Sequence, residues 1–283
     1  MPTTFARPEL LASPDWLAES LSRPGVRVLD CRWRVDGSAR AEFSRGHIPA
    51  AVYLDWPYQL VDIDDPLPFQ LVGPTAFAAA MIRAGVGDGM TVVVYDDTQS
   101  MYAARVWWSL RAYGFESVKV LDGGWPAWVE SGRPTSTGTP QTDTQVVFTP
   151  RLDPRRRLST ADVASLLESD RALLLDVRTP AEYLGQGGLG PRRGHIAGAV
   201  NVPAAHFGDN SGHRFPPAER LIKLLARSGV DRSRRIVVYD ATGIGAAKVA
   251  FTLELLGYED VALYDGGWAD WAPRSGDDYP VES

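Results

Sequence analysis

Four short blocks of this sequence occur twice, in the same order and at nearly one spacing. Arg45-Gly46-His47-Ile48-Pro49-Ala50-Ala51-Val52 returns as Arg193-Gly194-His195-Ile196-Ala197-Gly198-Ala199-Val200, and Leu29-Asp30-Cys31-Arg32 returns as Leu175-Asp176-Val177-Arg178. Val93-Val94-Tyr95-Asp96 returns as Val237-Val238-Tyr239-Asp240, and Asp122-Gly123-Gly124-Trp125 as Asp265-Gly266-Gly267-Trp268. The spacing is about half of the 283-residue chain, too long for a stacked solenoid unit and suited to a whole domain. The chain reads as a duplication, with residues 1–140 as one domain and 141–283 as the other. Between the repeated blocks, Ser131 to Leu158 carries Gly132, Pro134, Gly138, Pro140, Pro150 and Pro154, the composition of a non-helical connector. Its Gln145-Val146-Val147-Phe148 run is expected to add a short strand.

Each half alternates strand and helix signals. Ala172 to Asp176 and Arg235 to Tyr239 are short apolar runs bounded by polar residues, the pattern of buried parallel strands. Ala218 to Ser228 has the spacing of an amphipathic helix ending at Gly229, and Ala246 to Leu256 reads as a helix ending at Gly257. This order predicts an α/β fold, a mainly parallel sheet with helices on both faces in each half. Ligands in such sheets sit beyond the carboxyl ends of the strands, which directs attention to the segment after Tyr239.

Composition narrows the function classes. The chain has 45% apolar and 23% charged residues and a net charge of −6, as an ordinary globular protein without a broad nucleic-acid footprint. Its apolar runs are strand-length, and residues 1–19 lack a basic stretch followed by an apolar one, so neither membrane nor signal peptide is expected and a cytoplasmic location is the default. The single cysteine, Cys31, excludes intramolecular disulfides and thiolate zinc clusters.

The repeated blocks resemble the tandem rhodanese family, the thiosulfate and 3-mercaptopyruvate sulfurtransferases. Arg-Gly-His-Ile at 45–48 and 193–196 is similar to that family's N-terminal signature, and Asp-Gly-Gly-Trp at 122–125 and 265–268, followed by Trp128 and Trp271, to its C-terminal one. Ala104-Arg105-Val106-Trp107-Trp108 is similar to the family's first, non-catalytic domain. The resemblance implies two rhodanese-like domains. It also implies that the loop after Tyr239 corresponds to the family's active-site loop, in which backbone N–H groups and a helix N-terminus converge on a nucleophilic cysteine and hold anionic sulfur donors. The matching residues are Asp240, Ala241, Thr242, Gly243, Ile244 and Gly245, and the cysteine position carries Asp240. The matching first-domain loop, Asp96 to Tyr102, has no cysteine either, as the resemblance implies for a domain that is normally inert.

A carboxylate cannot carry a persulfide, since a thiolate must accept the sulfur. It also opposes an anionic donor. Two unit charges about 4 Å apart repel by about 4 kcal/mol at an effective dielectric near 20, on the order of a thousandfold in binding. A second departure is Glu182, where some family members place a substrate-binding arginine; Arg192, Arg193 and Lys248 are the candidates to supply positive charge instead. Cys31 reads as a small buried residue.

Other constellations are weak. His47 and His195 read as hydrogen-bonding residues of a turn, and Asp122 and Asp265 as holding turns at strand ends. His206, Asp209 and His213 fit no helix face; Gly208, Asn210 and Gly212 mark a loop there, so no metal is expected. The run Gly243-Ile244-Gly245-Ala246-Ala247-Lys248 lacks the third glycine or alanine of a dinucleotide fingerprint, so no cofactor is expected. Three readings follow. The first is a cysteine-less binding or regulatory module with a small ligand at the cleft between the domains and no protein partner named. The second is an enzyme using Asp240 as acid, base or nucleophile. The third is a thiosulfate or 3-mercaptopyruvate sulfurtransferase working by a non-standard route, through Cys31 or another.

Overall fold

The computed structural model describes residues 4–140, 145–167, 171–209 and 213–283. In the first half the chain runs through β1 (Leu11–Ala12), α1 (Pro14–Ser20), β2 (Val26–Asp30), α2 (Ala39–Arg45), β3 (Ala51–Tyr53), α3 (Trp56–Gln59), α4 (Pro74–Arg83), β4 (Thr91–Tyr95), α5 (Met101–Ala112), β5 (Val118–Leu121) and α6 (Gly124–Glu130). The second half repeats the scheme with β6 (Arg157–Leu158), α7 (Thr160–Leu167), β7 (Ala172–Asp176), α8 (Pro180–Tyr183), β8 (His195–Ile196) and β9 (Val200–Asn201). It continues through α9 (Ala218–Arg227), β10 (Arg235–Tyr239), α10 (Ile244–Leu255), β11 (Val261–Tyr264), α11 (Gly267–Trp271) and β12 (Val281–Glu282).

Each half builds one five-stranded sheet, in the orders β1-β5-β4-β2-β3 and β6-β11-β10-β7-β9, with all pairs parallel. Register is strict in the centre: Val237, Val238 and Tyr239 of β10 face Leu174, Leu175 and Asp176 of β7. The strands are apolar without alternation because both faces are covered. Val92 and Val94 point to one core while Val93 and Tyr95 point to another, and in the second sheet Ile236 and Val238 are divided in the same way from Val237 and Tyr239. The outer faces pack on Leu17, Phe43 and Trp128 in the first half and on Val163, Trp268 and Trp271 in the second.

The inner faces share one core. It is filled by α5 and α10, which pack against each other, with Trp107 edge-on to Phe251 at 4.9 Å between ring centroids. Residues Ala246 to Leu255 of α10 are all buried, Lys248, Thr252 and Glu254 included. A helix buried on all sides has no polar face to show, which is why its sequence reads as Ala-Val-Phe-Leu almost throughout.

The connector departs from expectation. Gln145 to Phe148 forms no strand; it is an extended segment anchored by Phe148, which packs on Phe77 and Phe115 at 5.7 Å each, while the Val147 carbonyl accepts the Asp88 N–H. A strand needs a free sheet edge, and β1 and β3 end the first sheet elsewhere. Residues 141–144 of the connector lie outside the described residues, as do the expected loop markers Asn210 and Gly212.

Candidate functional site

β10 ends at Tyr239, and the chain then turns through Ala241, Thr242 and Gly243 into α10. The Asp240 carboxylate sits at the centre of this turn. Its Oδ1 accepts the N–H of Thr242 at 2.9 Å and that of Gly243; its Oδ2 accepts the N–H of Gly245 at 2.7 Å and of Ala246 at 3.3 Å. Burial pushes the Asp240 carboxyl up from its ordinary value, and the four N–H groups oppose that rise. Among the described residues no cation pairs with it. Two glycines permit the geometry. Gly243 has φ +84°, and a Cβ there would stand 2.8 Å from Arg105 Nη1 and 2.9 Å from Asp265 Oδ1. A Cβ on Gly245 would stand 2.9 Å from Asp240 Oδ2.

The first domain repeats the arrangement. Asp96 accepts the N–H groups of Thr98 and Ser100 on Oδ1 at 2.8 and 3.0 Å, and those of Tyr102 and Ala103 on Oδ2 at 2.7 and 2.8 Å. Its loop is one residue longer and places Gln99 and Ser100 at positive φ. Asp96 is buried, whereas Asp240 is half-buried and so keeps an opening to solvent.

The Asp-Gly-Gly-Trp blocks hold both loops from behind. The Trp268 N–H donates to the Asp240 carbonyl at 2.8 Å and the Ala269 N–H to that of Ala241 at 3.1 Å; the Trp125 N–H donates to the Asp96 carbonyl at 2.8 Å. A side chain at Gly124 or Gly267 would collide with the carbonyl of Asp96 or Asp240.

The aspartates of these blocks have a different role from the one expected. They are latches between domains. Asp265 accepts the Leu71 N–H at 3.1 Å and pairs with Arg105 at 2.7 Å, both from the first half. Asp122 accepts the Phe215 N–H and pairs with Arg214 at 2.9 Å, both from the second. A sequence pattern shows that an aspartate follows a strand, but not that its partner lies 92 to 194 residues away in the other half.

The candidate cations divide. Arg193 donates to the Gly188 carbonyl rather than to Asp240. Arg192 is committed to the carbonyls of Trp271, Ala272 and Tyr279. Lys248 lies on α10 but crosses away from its own loop, with Nζ 3.4 Å from Gln99 Oε1 in the first-domain loop. Burial drives its ammonium down to about 8, against the pull of Asp96 and Asp209. Glu182 closes a capping box with Thr179 at the start of α8. The residue missed by sequence reasoning is Arg105, which occupies on α5 the place that Lys248 occupies on α10 and reaches Gly243 from the other domain.

Cys31 is fully buried, with its Sγ 3.7 Å from the Leu29 carbonyl, and burial with Asp30 and Asp96 nearby pushes its thiol well up. His47 and His195 each place Nδ1 2.8 Å from a carbonyl, of Phe43 and Tyr183, and stack on that residue's ring. Among the described residues no group of three His, Cys, Asp or Glu side chains is placed to hold a metal. A cavity of about 490 Å³ at the domain boundary is lined by Gln70, Arg157, Asp162, Asp265, Asp270 and Arg274, not by the Asp240 loop.

The model of the rhodanese-like domain matches residues 13–131 and again 159–273. The chain belongs to the rhodanese family. It is 34% identical over 277 residues to the thiosulfate sulfurtransferase of Bos taurus, covering 94% of this chain and 92% of the relative. It is 35% identical over 288 residues to the 3-mercaptopyruvate sulfurtransferase of Homo sapiens, covering 96% and 95%. Among solved structures, the 3-mercaptopyruvate sulfurtransferase SseA of Escherichia coli superposes with a TM-score of 0.83 at 31% identity, over 92% of this chain and 98% of that one. Two rhodanese domains, each a parallel sheet between helices, are the family's architecture and that of this chain. No helix among the described residues is long and apolar enough to cross a membrane.

Proposed function

We propose that this rhodanese-family protein does not transfer sulfur through a persulfide, and that its second-domain loop is the centre of a binding or regulatory module for a small ligand at the domain boundary. The observation that carries the reading is the Asp240 carboxylate at the point where four loop N–H groups converge. In this reading Asp240 takes the place of the family's nucleophilic cysteine and acts as a tethered anion, so the loop satisfies itself. The remaining loop residues, Ala241, Thr242, Gly243, Ile244 and Gly245, supply backbone rather than reactive groups. Cys31, the one thiol, is buried with its reactivity suppressed, which argues against a route through it.

The test is direct. Purified protein should show no thiosulfate:cyanide or mercaptopyruvate:cyanide sulfur transfer above background. Activity at an enzyme-like rate that disappears in Cys31→Ser would overturn the proposal in favour of the non-standard route.

A second reading has one observation of its own. Asp240 is half-buried while its counterpart Asp96 is buried, and burial raises its carboxyl from its ordinary value against the four N–H groups. Turnover of any substrate with a pH profile that is lost in Asp240→Asn would favour an enzyme that uses this carboxylate.

A further inference from the structure

A loop that turns four N–H groups inward turns carbonyls outward, and a buried outward carbonyl needs a donor. The Gly243 carbonyl has two: the Ala247 N–H of α10 at 3.3 Å, and a second donor that comes from the other domain. Arg105 of α5 places Nη1 3.3 Å from the Gly243 carbonyl and 2.7 Å from Asp265 Oδ1, and Nη2 2.6 Å from the Phe69 carbonyl. Its guanidinium lies over the Trp108 ring at 4.6 Å, and both Arg105 and Asp265 are about 1% exposed. The contact with Gly243 leaves no room for a side chain there. We propose that Arg105 is a positioning residue: the first domain, through this one side chain, holds Gly243 in the orientation that aims the loop N–H groups at position 240.

The inference rests on the reading of the Asp240 loop as an anion-holding cradle. The geometry adds the reason for an arginine. A planar fork serves two carbonyls and a carboxylate at once, and that carboxylate, Asp265, also pairs with Arg157 at 3.1 Å. The pseudo-equivalent Lys248 on α10 reaches toward the first-domain loop with a single ammonium, its Nζ 3.4 Å from Gln99 Oε1 and drawn by Asp96 and Asp209. Through Arg105 the first domain reaches both the Gly243 carbonyl and Asp265 of the second. This gives the first domain, although it has no nucleophile, a part in building the site.

The experiment uses the full-length chain with an introduced thiol as reporter. In D240C, D240C/R105M and D240C/R105K, the pH dependence of alkylation by iodoacetamide reads the thiolate held by the cradle; buried Cys31 stays silent. D240C should titrate well below the ordinary cysteine value of about 8.5. D240C/R105M should lose about tenfold in thiolate at neutral pH, and D240C/R105K should fail to recover it, because an ammonium restores the charge but not the fork. Circular dichroism and melting accompany each variant, since a merely structural role would lower the melting temperature without moving the titration. If D240C itself titrates at the ordinary value, the cradle reading fails whatever Arg105 does. If D240C is low and unchanged in R105M, or fully restored in R105K, the positioning role is overturned while the cradle stands. Should R105M not fold, R105K decides alone: a raised titration supports the proposal and an unchanged one overturns it.

Discussion

Lys248 is a buried ammonium whose burial outweighs the pull of Asp96 and Asp209. An ammonium at about 1% exposure, its Nζ 3.4 Å from Gln99 Oε1, keeps its proton less well than a free lysine, and its value falls from 10.5 to about 8. The unfolded chain then binds more protons than the native one between about pH 8 and 10.5, so this residue makes stability rise with pH across that window. A depression of this size corresponds to about 3 kcal/mol. Lys248→Met, which keeps the volume and drops the charge, should be at least as stable as the parent at pH 7. Denaturant midpoints measured at pH 7 and pH 9.5 should show a parent that gains relative to the variant as pH rises. A parent that loses ground instead would mean that Lys248 is held charged by a partner not seen in these contacts.

At the scale of the element, the strand–loop–helix unit occurs twice with the same solution: an aspartate that caps its own loop and the helix behind it. An N-terminal carboxylate stabilises a helix start both by accepting orphan N–H groups and by facing the positive end of the helix dipole. Asp96 does this as a buried residue and Asp240 as a half-buried one. Asp96→Asn would turn an amide NH₂ toward N–H donors that have no other acceptor, and should cost about 2–4 kcal/mol in denaturant unfolding. Asp240→Asn should cost less, since water can reach the groups it leaves. Equal losses at the two sites would show that exposure does not distinguish them. The duplicated Asp30–Arg32 and Asp176–Arg178 pairs, each at 2.6 Å with a tyrosine on the outer face of the sheet, buttress the neighbouring strand ends in the same doubled way.

The whole molecule is held together less by its connector than by the core its halves share. Trp107, Phe251 and the all-round buried α10 belong to both domains, and the latches at Asp122 and Asp265 cross in opposite directions. Trypsin should cut the connector first at Arg151 or Arg155, which are exposed, rather than at Arg133, whose guanidinium lies over Trp128 and pairs with Asp15. The two fragments should nonetheless co-elute on size exclusion and separate only in denaturant. Residues 159–283 expressed alone should aggregate, because α10 would present an apolar surface with no polar face. Fragments that elute apart as folded halves would show that the shared core contributes little.

What the sequence determined by itself is what local pattern and repetition encode. The duplication, the parallel strands read from unbroken apolar runs, α9 and α10 to within two residues at either end, and the aspartate that opens the loop after Tyr239 are all legible without a structure, because each depends on neighbours close in the chain. Tertiary structure alone decided the partners. That Arg105 serves the loop of the other domain, that Lys248 turns away from its own, that Asp122 and Asp265 are latches rather than turn residues, and that Phe148 anchors the connector instead of extending a sheet all depend on which surfaces meet. The physical reason is range: periodicity and turn chemistry act over a few residues, whereas these contacts join side chains whose proximity exists only once two sheets have closed on one core.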